Sequence, residues 1–145
     1  MEDQNTPKLG NQLCFPLYLV AKEITGLYRP FLDEIGITYS QYLVMMVLWE
    51  NDGLTVNQIG EKLYLDSGTL TPLLKRLESK KMLRRRRKKE DERVVEIFLD
   101  RAGFDLKIQA SEIPEKIKSR LDLSPEDLLE MKNTVDAILS KIIRK

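Results

Sequence analysis

The chain has 145 residues, of which 42% are hydrophobic and 32% charged; this is typical of one folded domain and excludes a disordered chain. Seven glycines and six prolines are few for this length, which favours helices over a large all-β fold. The absence of histidine and the single cysteine, Cys14, exclude imidazole catalysis, a typical zinc site and an intrachain disulfide, so we predict no catalytic residue, no metal and no cofactor.

The first predicted helix begins close to the cysteine. Pro16 cannot donate a backbone hydrogen bond, so this helix starts no earlier than about Leu13 and runs toward Glu34, with Gly36 as its stop. Cys14 therefore lies near a helix N-terminus, where the partial positive charge favours an anion such as a thiolate.

The first residues of the chain, M-E-D-Q-N-T, lack the basic start of a signal peptide.

A strongly apolar second helix follows. Thr38 and Gln41 have the spacing of a capping box, and the helix that they open reaches Trp49 and is ended by Gly53. The longest apolar run, from Tyr42 to Trp49, is far shorter than the ~20 residues of a membrane span. We therefore expect a cytoplasmic protein without a membrane partner.

Two short helices are predicted next. Thr55 and Gln58 form a second capping box, and a turn follows at about residues 64–66. Asp66 or Ser67 can cap the next helix, whose start is small, polar and outward-facing. Its inward face consists of leucines, Leu70, Leu73, Leu74 and Leu77. This order predicts a helix-turn-helix, although similar helical hairpins occur in proteins that never bind nucleic acid.

A basic β-hairpin is predicted after Leu83, in the stretch R-R-R-R-K-K-E-D-E-R-V-V-E-I-F-L. Val95, Ile97 and Leu99 alternate with period two, and K-K-E-D-E lies at the tip. Residues 75–89 contain ten cationic and one anionic side chains, a net charge of +9, so the rest of the chain carries −8. Such a run is often a solvated tail, but this one is internal and flanked by apolar patterns. We interpret it as a wing that binds duplex DNA beside the preceding helix.

The C-terminal part is predicted to be helical. Asp100 caps a helix with an apolar core stripe that is kinked at Pro114, and Ser124 and Pro125 open the last helix. Five apolar residues of the last helix are spaced 3, 4, 3 and 4, as in a helix-packing seam: Leu128, Met131, Val135, Ile138 and Ile142. This seam suits either intrachain packing or dimerisation, and we favour dimerisation.

Four stretches carry a resemblance to a known family. They are N-Q-L-C-F at 11–15, I-T-Y-S-Q-Y-L at 37–43, L-Y-L-D-S-G-T-L-T-P-L-L-K-R-L-E at 63–78 and E-D-E-R at 90–93. Together they resemble the MarR family of winged-helix regulators, and most closely its one-cysteine organic-hydroperoxide (OhrR-type) repressors. The resemblance implies a mainly α fold with a small β-hairpin and an intertwined helical homodimer that binds a pseudopalindromic operator in double-stranded DNA. We expect one winged-helix domain over 1–145, with dimerisation helices at about 11–36 and 100–145 and the DNA-reading part at about 55–99.

The resemblance also implies residue roles. Cys14 matches the peroxide-sensing cysteine, Tyr28 and Tyr39 match tyrosines that hydrogen-bond its sulfur from the other subunit, and Tyr18 lies nearby. Asp91 and Arg93 match a wing motif in which the aspartate orients an arginine that enters the minor groove. The DNA-binding set predicted in this way is Ser67, Gly68, Thr69, Thr71, Lys75, Arg76, Arg86, Asp91 and Arg93. Two features depart from the family pattern: four consecutive arginines at 84–87, and Asp100 at the following helix cap.

Three functions remain in competition. The favoured one is a redox-sensing repressor that releases its operator when an organic hydroperoxide oxidises Cys14, with small-molecule thiols as further reactants. A MarR-type regulator of a non-redox phenolic ligand, with Cys14 incidental, is the alternative, since a lone cysteine among apolar residues is more often an inert filler. A cysteine peroxidase is the third, and it is disfavoured because the chain encodes no resolving thiol.

Overall fold

The computed structural model describes residues 7–143. After a short 3-10 helix, Leu9–Asn11, the elements are α1 Cys14–Glu34, α2 Tyr39–Glu50, α3 Val56–Leu63, α4 Ser67–Ser79, β1 Leu83–Arg87, β2 Val95–Leu99, α5 Arg101–Ala110, α6 Ile113–Leu121 and α7 Pro125–Ile143. The chain forms two compact units, of which the first ends at Ser111 and the second begins at Glu112. The predicted fold class, mainly helical with a small β-hairpin, is confirmed. Within the described residues, no helix has the length and hydropathy of a membrane span.

The predicted helix starts of the first unit are confirmed. The Gln41 N–H donates to Thr38 Oγ1 at 3.2 Å, and the Thr38 N–H donates to Gln41 Oε1 at 3.0 Å, which is a complete capping box. Thr55 and Gln58 form the same pair of hydrogen bonds at 3.1 and 2.9 Å. These bonds satisfy backbone N–H groups that the first turn of a helix leaves without partners. The sequence spacing alone therefore located both helix starts.

The core of the first unit lies around α2 and α4. Val44, Met45 and Leu48 of α2 are buried, as are the leucines of α4 at 70, 74 and 77. The indole of Trp49 donates a 2.8 Å hydrogen bond to the carbonyl of Gly103, which ties α2 to α5. The buried leucines thereby hold α4 on the core, while the residues of its first turn, at 67–69, face solvent.

The wing is an antiparallel pair in which Leu83 faces Leu99 and Arg87 faces Val95. Residues 52–55 extend it along the edge of β2, an addition that the sequence pattern did not predict. The Ile97 N–H donates to the Leu54 carbonyl at 2.8 Å, and the Leu99 N–H donates to Asp52 Oδ1 at 2.7 Å. The segment before α3 thus anchors the wing beside the helix-turn-helix.

Two predictions for the stretch after the wing are wrong. Asp100 occupies the N-cap position of α5, but its side chain makes no capping hydrogen bond and instead accepts one from Arg84 at 2.7 Å. The expected single kinked helix is two helices, because α5 ends at Ala110 and Pro114 lies in the first turn of α6, where its missing N–H costs nothing.

The second unit contains α6 and α7. The predicted start of α7 is confirmed, since Ser124 Oγ accepts the Asp127 N–H at 3.1 Å. No residue of α7 is buried. Its apolar seam is therefore only partly covered in the single chain.

Candidate nucleic-acid interface and cysteine site

The exposed start of α4 is the first part of the candidate interface. Asp66 caps the helix by accepting the Thr69 N–H at 2.7 Å, and hydrogen bonds from Thr69 hold the pKa of this carboxyl below its usual value. Most of the predicted DNA-binding residues of this helix are exposed, and one, Thr71, is half-buried: Ser67, Gly68, Thr69, Thr71, Lys75 and Arg76. The helix thus begins with small polar side chains, and two cations follow about two turns after its first residue.

A cleft of about 260 Å³ joins this helix to the wing. It is lined by Thr55, Val56, Asn57, Ser67, Thr71, Arg93, Val94 and Val95. The structure therefore brings the predicted residues Ser67, Thr71 and Arg93 to one concave surface. Thr55 and Asn57, at the start of α3, were not predicted; their position at the first helix of a helix-turn-helix was the available signal.

The wing tip presents an oriented arginine. The backbone N–H and Nε of Arg93 both lie 3.1 Å from Asp91 Oδ1, and an NH₂ nitrogen lies 3.3 Å from Oδ2. The side chain of Arg93 is nevertheless 91% exposed. The hydrogen bonds from Arg93 lower the pKa of the Asp91 carboxyl, which therefore stays ionised at neutral pH. Asp91 thus fixes the orientation of the Arg93 guanidinium while leaving it exposed to solvent.

The four consecutive arginines alternate between the two faces of the wing. Arg84 and Arg86 share a face with Phe98, and their guanidinium carbons lie 5.5 and 4.5 Å from the centre of its ring. Arg84 also pairs with Asp100 at 2.7 Å, and Arg86 with Glu96 at 3.5 Å. Of these two, only Arg86 was predicted to bind DNA, and its side chain is 67% exposed.

The other face of the wing carries Arg85 and Arg87. Glu78 of α4 accepts from the backbone N–H and the Nε of Arg85, both at 3.1 Å, and these bonds lower the pKa of its carboxyl. Arg87 donates to the Glu92 carbonyl at 2.9 Å. All four arginines therefore have a partner within the protein. Part of the positive charge that was predicted to bind DNA thus takes part in contacts that stabilise the wing.

Other cations of residues 75–89 have no such partner. Five cations of this stretch are exposed and make neither an ion pair nor a side-chain hydrogen bond over residues 7–143: Lys75 and Arg76 on α4, Lys81 before the wing, and Lys88 and Lys89 near the wing tip. They are the cations most available to phosphate groups.

Cys14 is exposed and is the first residue of α1. Tyr18, one turn later, is 65% exposed. Tyr28 lies fourteen residues along the same helix, about 21 Å away at 1.5 Å per residue. Of the three predicted tyrosines, the single chain therefore places Tyr18 near Cys14 but not Tyr28, nor Tyr39, which packs on Tyr28.

The predicted tyrosines do meet each other. The ring centres of Tyr28 and Tyr39 lie 5.1 Å apart, and Tyr42, which was not predicted, lies 5.9 Å from Tyr28 and 6.4 Å from Tyr39. Burial raises the pKa of all three phenols. Their hydroxyl groups therefore stay protonated at neutral pH and can donate to an anion.

Apolar side chains are exposed on two helices. On α7, the seam residues Met131, Val135 and Ile142 are exposed, and Leu128 and Ile138 are half-buried. The start of α1 exposes five further apolar side chains, Leu13, Phe15, Leu17, Leu19 and Val20. Exposed apolar surface on this scale is typical of a protein interface.

Known proteins resemble the chain over most of its length. The model of the transcriptional regulator SarA/Rot family matches residues 26–109. The organic hydroperoxide resistance transcriptional regulator of Bacillus subtilis (strain 168) is 48% identical over 138 residues, which cover 95% of this chain and 94% of the relative.

Solved structures agree with the sequence relatives. Reduced AbfR bound to DNA is 38% identical, with a TM-score of 0.75 over 93% of this chain and 94% of that one. Disulfide-formed AbfR is 39% identical, with a TM-score of 0.66 over 94% and 93%; AbfR is a protein of Staphylococcus epidermidis. The chain belongs to the SarA/Rot family of winged-helix transcriptional regulators, and its resemblance to the organic-hydroperoxide regulators of the MarR type is confirmed.

Proposed function

We propose that this protein is a homodimeric transcriptional repressor whose affinity for double-stranded DNA is controlled by oxidation of Cys14. One observation carries the proposal: the chain combines an exposed cysteine at a helix N-terminus with a cleft shared by α4, the recognition helix, and Arg93 of the wing. The relatives are consistent with it, because one is named for organic hydroperoxide resistance and another is described in reduced, DNA-bound form. As such a regulator, the protein acts in the cytoplasm and has no enzymatic role.

The cleft suits a DNA duplex. The exposed start of α4 enters the major groove, where Ser67, Thr69 and Thr71 offer small donors and acceptors to base edges. Arg93, held by Asp91, extends toward the neighbouring minor groove. The exposed cations Lys75, Arg76, Lys88 and Lys89 contact phosphates.

A second copy of the chain completes the sensor. Because Cys14 and Tyr28 lie about 21 Å apart on one helix, Tyr28 of the same chain cannot reach the sulfur, whereas Tyr28 of a second copy can. The exposed apolar residues of α1, and separately those of α7, are available for contact with this copy. Tyr28 and Tyr39 then donate hydrogen bonds to the thiolate, and Tyr18 lies beside it on the same face of α1.

The reaction requires a hydroperoxide and then a thiol. The Cys14 thiolate attacks the outer oxygen of the hydroperoxide, the O–O bond breaks, and the leaving alkoxide takes a proton to give an alcohol and a sulfenic acid. A small thiol then displaces the sulfenic oxygen as water and leaves a mixed disulfide. Excess peroxide instead produces sulfinic and sulfonic acids.

The mixed disulfide displaces the tyrosines, because it is bulkier than the thiolate that they hold. The helices that carry them shift, and the two recognition helices lose the spacing of one DNA turn, ~34 Å, that an inverted repeat requires. A hundredfold loss of affinity corresponds to only about 2.7 kcal/mol, a magnitude comparable with the loss of a few buried hydrogen bonds.

A non-redox ligand is the second candidate function. An apolar cavity of about 370 Å³ lies between α1 and α2, within the size range of small-molecule sites. Its polar lining consists of Thr25, Arg29, Asp33, Thr38 and Tyr39, which can hydrogen-bond the hydroxyl of a small phenolic compound.

A DNA-binding titration separates these functions. The probe is the region upstream of the protein's own gene, with and without cumene hydroperoxide and a small thiol, for the wild type and Cys14→Ser. We expect the wild type to lose at least tenfold in affinity and Cys14→Ser to bind normally but not respond. If Cys14→Ser still releases DNA, and mass spectrometry finds no adduct on the wild-type cysteine, the redox function is wrong and the ligand-responsive regulator replaces it.

A further inference from the structure

One lysine ties the end of the recognition helix to the junction of α1 and α2. Lys80 follows the last residue of α4, and its ammonium donates to the Gly36 carbonyl at 2.6 Å and to Gln41 Oε1 at 3.3 Å. Gly36 lies just beyond the C-terminus of α1, where the partial negative charge of the helix favours a cation. The bond therefore joins two elements that are 44 residues apart in sequence.

The acceptor of this lysine belongs to the cap of α2. Gln41 Oε1 also accepts the Thr38 N–H, and the Gln41 side chain is the buried polar group of the described core, at 2% exposure. Tyr39 lies between these two capping residues and packs on Tyr28 at 5.1 Å. Lys80 thus connects the recognition helix to the turn that holds the tyrosine cluster.

We infer that Lys80 is the positioning residue through which a change at the tyrosine cluster reaches the recognition helix, an inference that rests on the proposed function. When an adduct on Cys14 displaces Tyr39, the first turn of α2 moves, and with it the Gln41 side chain. The ammonium follows its two acceptors and pulls the C-terminal end of α4. The buried leucines of α4 also pack on the core, but their contacts are non-directional, whereas the ammonium is bound to two specific acceptors.

Removal of the Lys80 ammonium should therefore uncouple the tyrosine cluster from the recognition helix. In Lys80→Met, α4 keeps its leucine packing, so the reduced dimer still binds its operator. The oxidised Lys80→Met dimer retains more affinity for DNA than the oxidised wild type, because the displaced cap of α2 no longer moves α4. The ratio of the dissociation constants of the oxidised and reduced dimers falls by about fivefold or more, at the lower end of common allosteric couplings.

The experiment compares three variants with the wild type on one operator. Lys80→Arg keeps a cation and donors, so its ratio stays within about twofold of the wild type. Lys81→Met is the matched control, because Lys81 is the adjacent exposed lysine and its side chain makes no hydrogen bond or ion pair in residues 7–143. Amide hydrogen exchange at Thr38 and Gln41 is measured in parallel and is faster in Lys80→Met alone.

Three outcomes overturn the inference. An unchanged ratio in Lys80→Met shows that the signal bypasses Lys80, and an equal loss of affinity in both redox states shows that Lys80 contacts phosphate. A wild-type ratio of one, with Cys14 oxidised by mass spectrometry, removes the proposed function together with the inference. Lys80→Gln, which retains a polar side chain, replaces Lys80→Met if thermal melting shows that the latter is unfolded.

Discussion

Gly103 lies so close to Met82 that a Cβ at position 103 would stand 2.1 Å from the Met82 carbonyl oxygen. The same oxygen accepts the Asp100 N–H at 3.0 Å. The first turn of α5 therefore packs backbone against backbone on the turn that leads from α4 into the wing. Only glycine fits, because the neighbour is a main-chain atom and cannot rotate away.

Gly103→Ala should destabilise the protein by roughly 1–3 kcal/mol, the usual range for overpacking a filled site. Chemical denaturation of the DNA-free protein measures the change. Gly68→Ala is the matched control, because its new Cβ would meet Asp66 at an ordinary 3.7 Å, and alanine is favoured over glycine in a helix by ~0.5–1 kcal/mol. Equal stabilities of the two variants would contradict the close approach at Met82.

Arg93→Ala should weaken operator binding and reduce the steepness of log K against log salt by about 0.9 for each phosphate that the protein no longer neutralises. Arg93→Lys should recover only part of the affinity, since an ammonium cannot form the two-pronged pair with Asp91. The folded-state pKa of Asp91 is lowered, so the pairing is fully present above the ordinary carboxyl pKa and is lost as the pH falls through the lowered value. The contribution of Arg93 should therefore be constant from about pH 5 to 8, and a change within that window would count against the pairing.

Phe98→Leu should lower DNA affinity about two- to fivefold, because Arg84 and Arg86 lose an aromatic surface worth ~0.5–1 kcal/mol for each exposed cation–π pair. Phe98→Tyr keeps the ring and should bind like the wild type. Both are measured by fluorescence anisotropy with the operator at several salt concentrations. Equal weakening in both variants would mean that packing of the wing, and not the ring face, matters.

Local signals in the sequence were enough for the helix starts. The capping boxes at Thr38 and Thr55 and the Ser124 cap depend on residues three apart, so the spacing alone determines them. The start of α1 follows in the same way from Pro16.

Contacts between distant segments could not be predicted in this way. The partner of Arg85 is Glu78 on the preceding helix, and Asp100 pairs with Arg84 across the wing instead of capping its own helix. The Arg84–Asp100 pair depends on the register of β1 against β2, which the alternation of Val95, Ile97 and Leu99 leaves open. The Arg85–Glu78 pair depends on the path of the turn between α4 and β1. The proposed contact of Cys14 with Tyr28 and Tyr39 involves a second copy, so no intrachain spacing could predict it.

Val135→Glu combined with Ile138→Glu should split the proposed dimer. The two carboxylates would enter the seam of α7 without partners, and a buried unpaired charge costs several kcal/mol. Light scattering measures the mass, and the monomer should lose specific DNA binding although its wing is unchanged. Asn133→Glu, on the same helix and exposed, is the control. A variant that remains dimeric would make the seam an intrachain packing surface.

Tyr28→Phe and Tyr39→Phe should leave DNA binding intact and slow the oxidation of Cys14. Burial raises the pKa of both phenols, so each hydroxyl remains a proton donor at neutral pH and can stabilise a thiolate from another copy. Loss of one hydrogen bond to a charged group costs about 1.5–3 kcal/mol, which corresponds to a factor of at least ten in the equilibrium that the bond supports. The rate of thiol loss on adding cumene hydroperoxide to the DNA-free dimer measures this effect. Tyr64→Phe is the control, since Tyr64 is 65% exposed in the turn before α4 and lies outside the cluster. If all three variants react at the wild-type rate, the tyrosines do not hold the sulfur, and Cys14 must be activated by its position at the start of α1 alone.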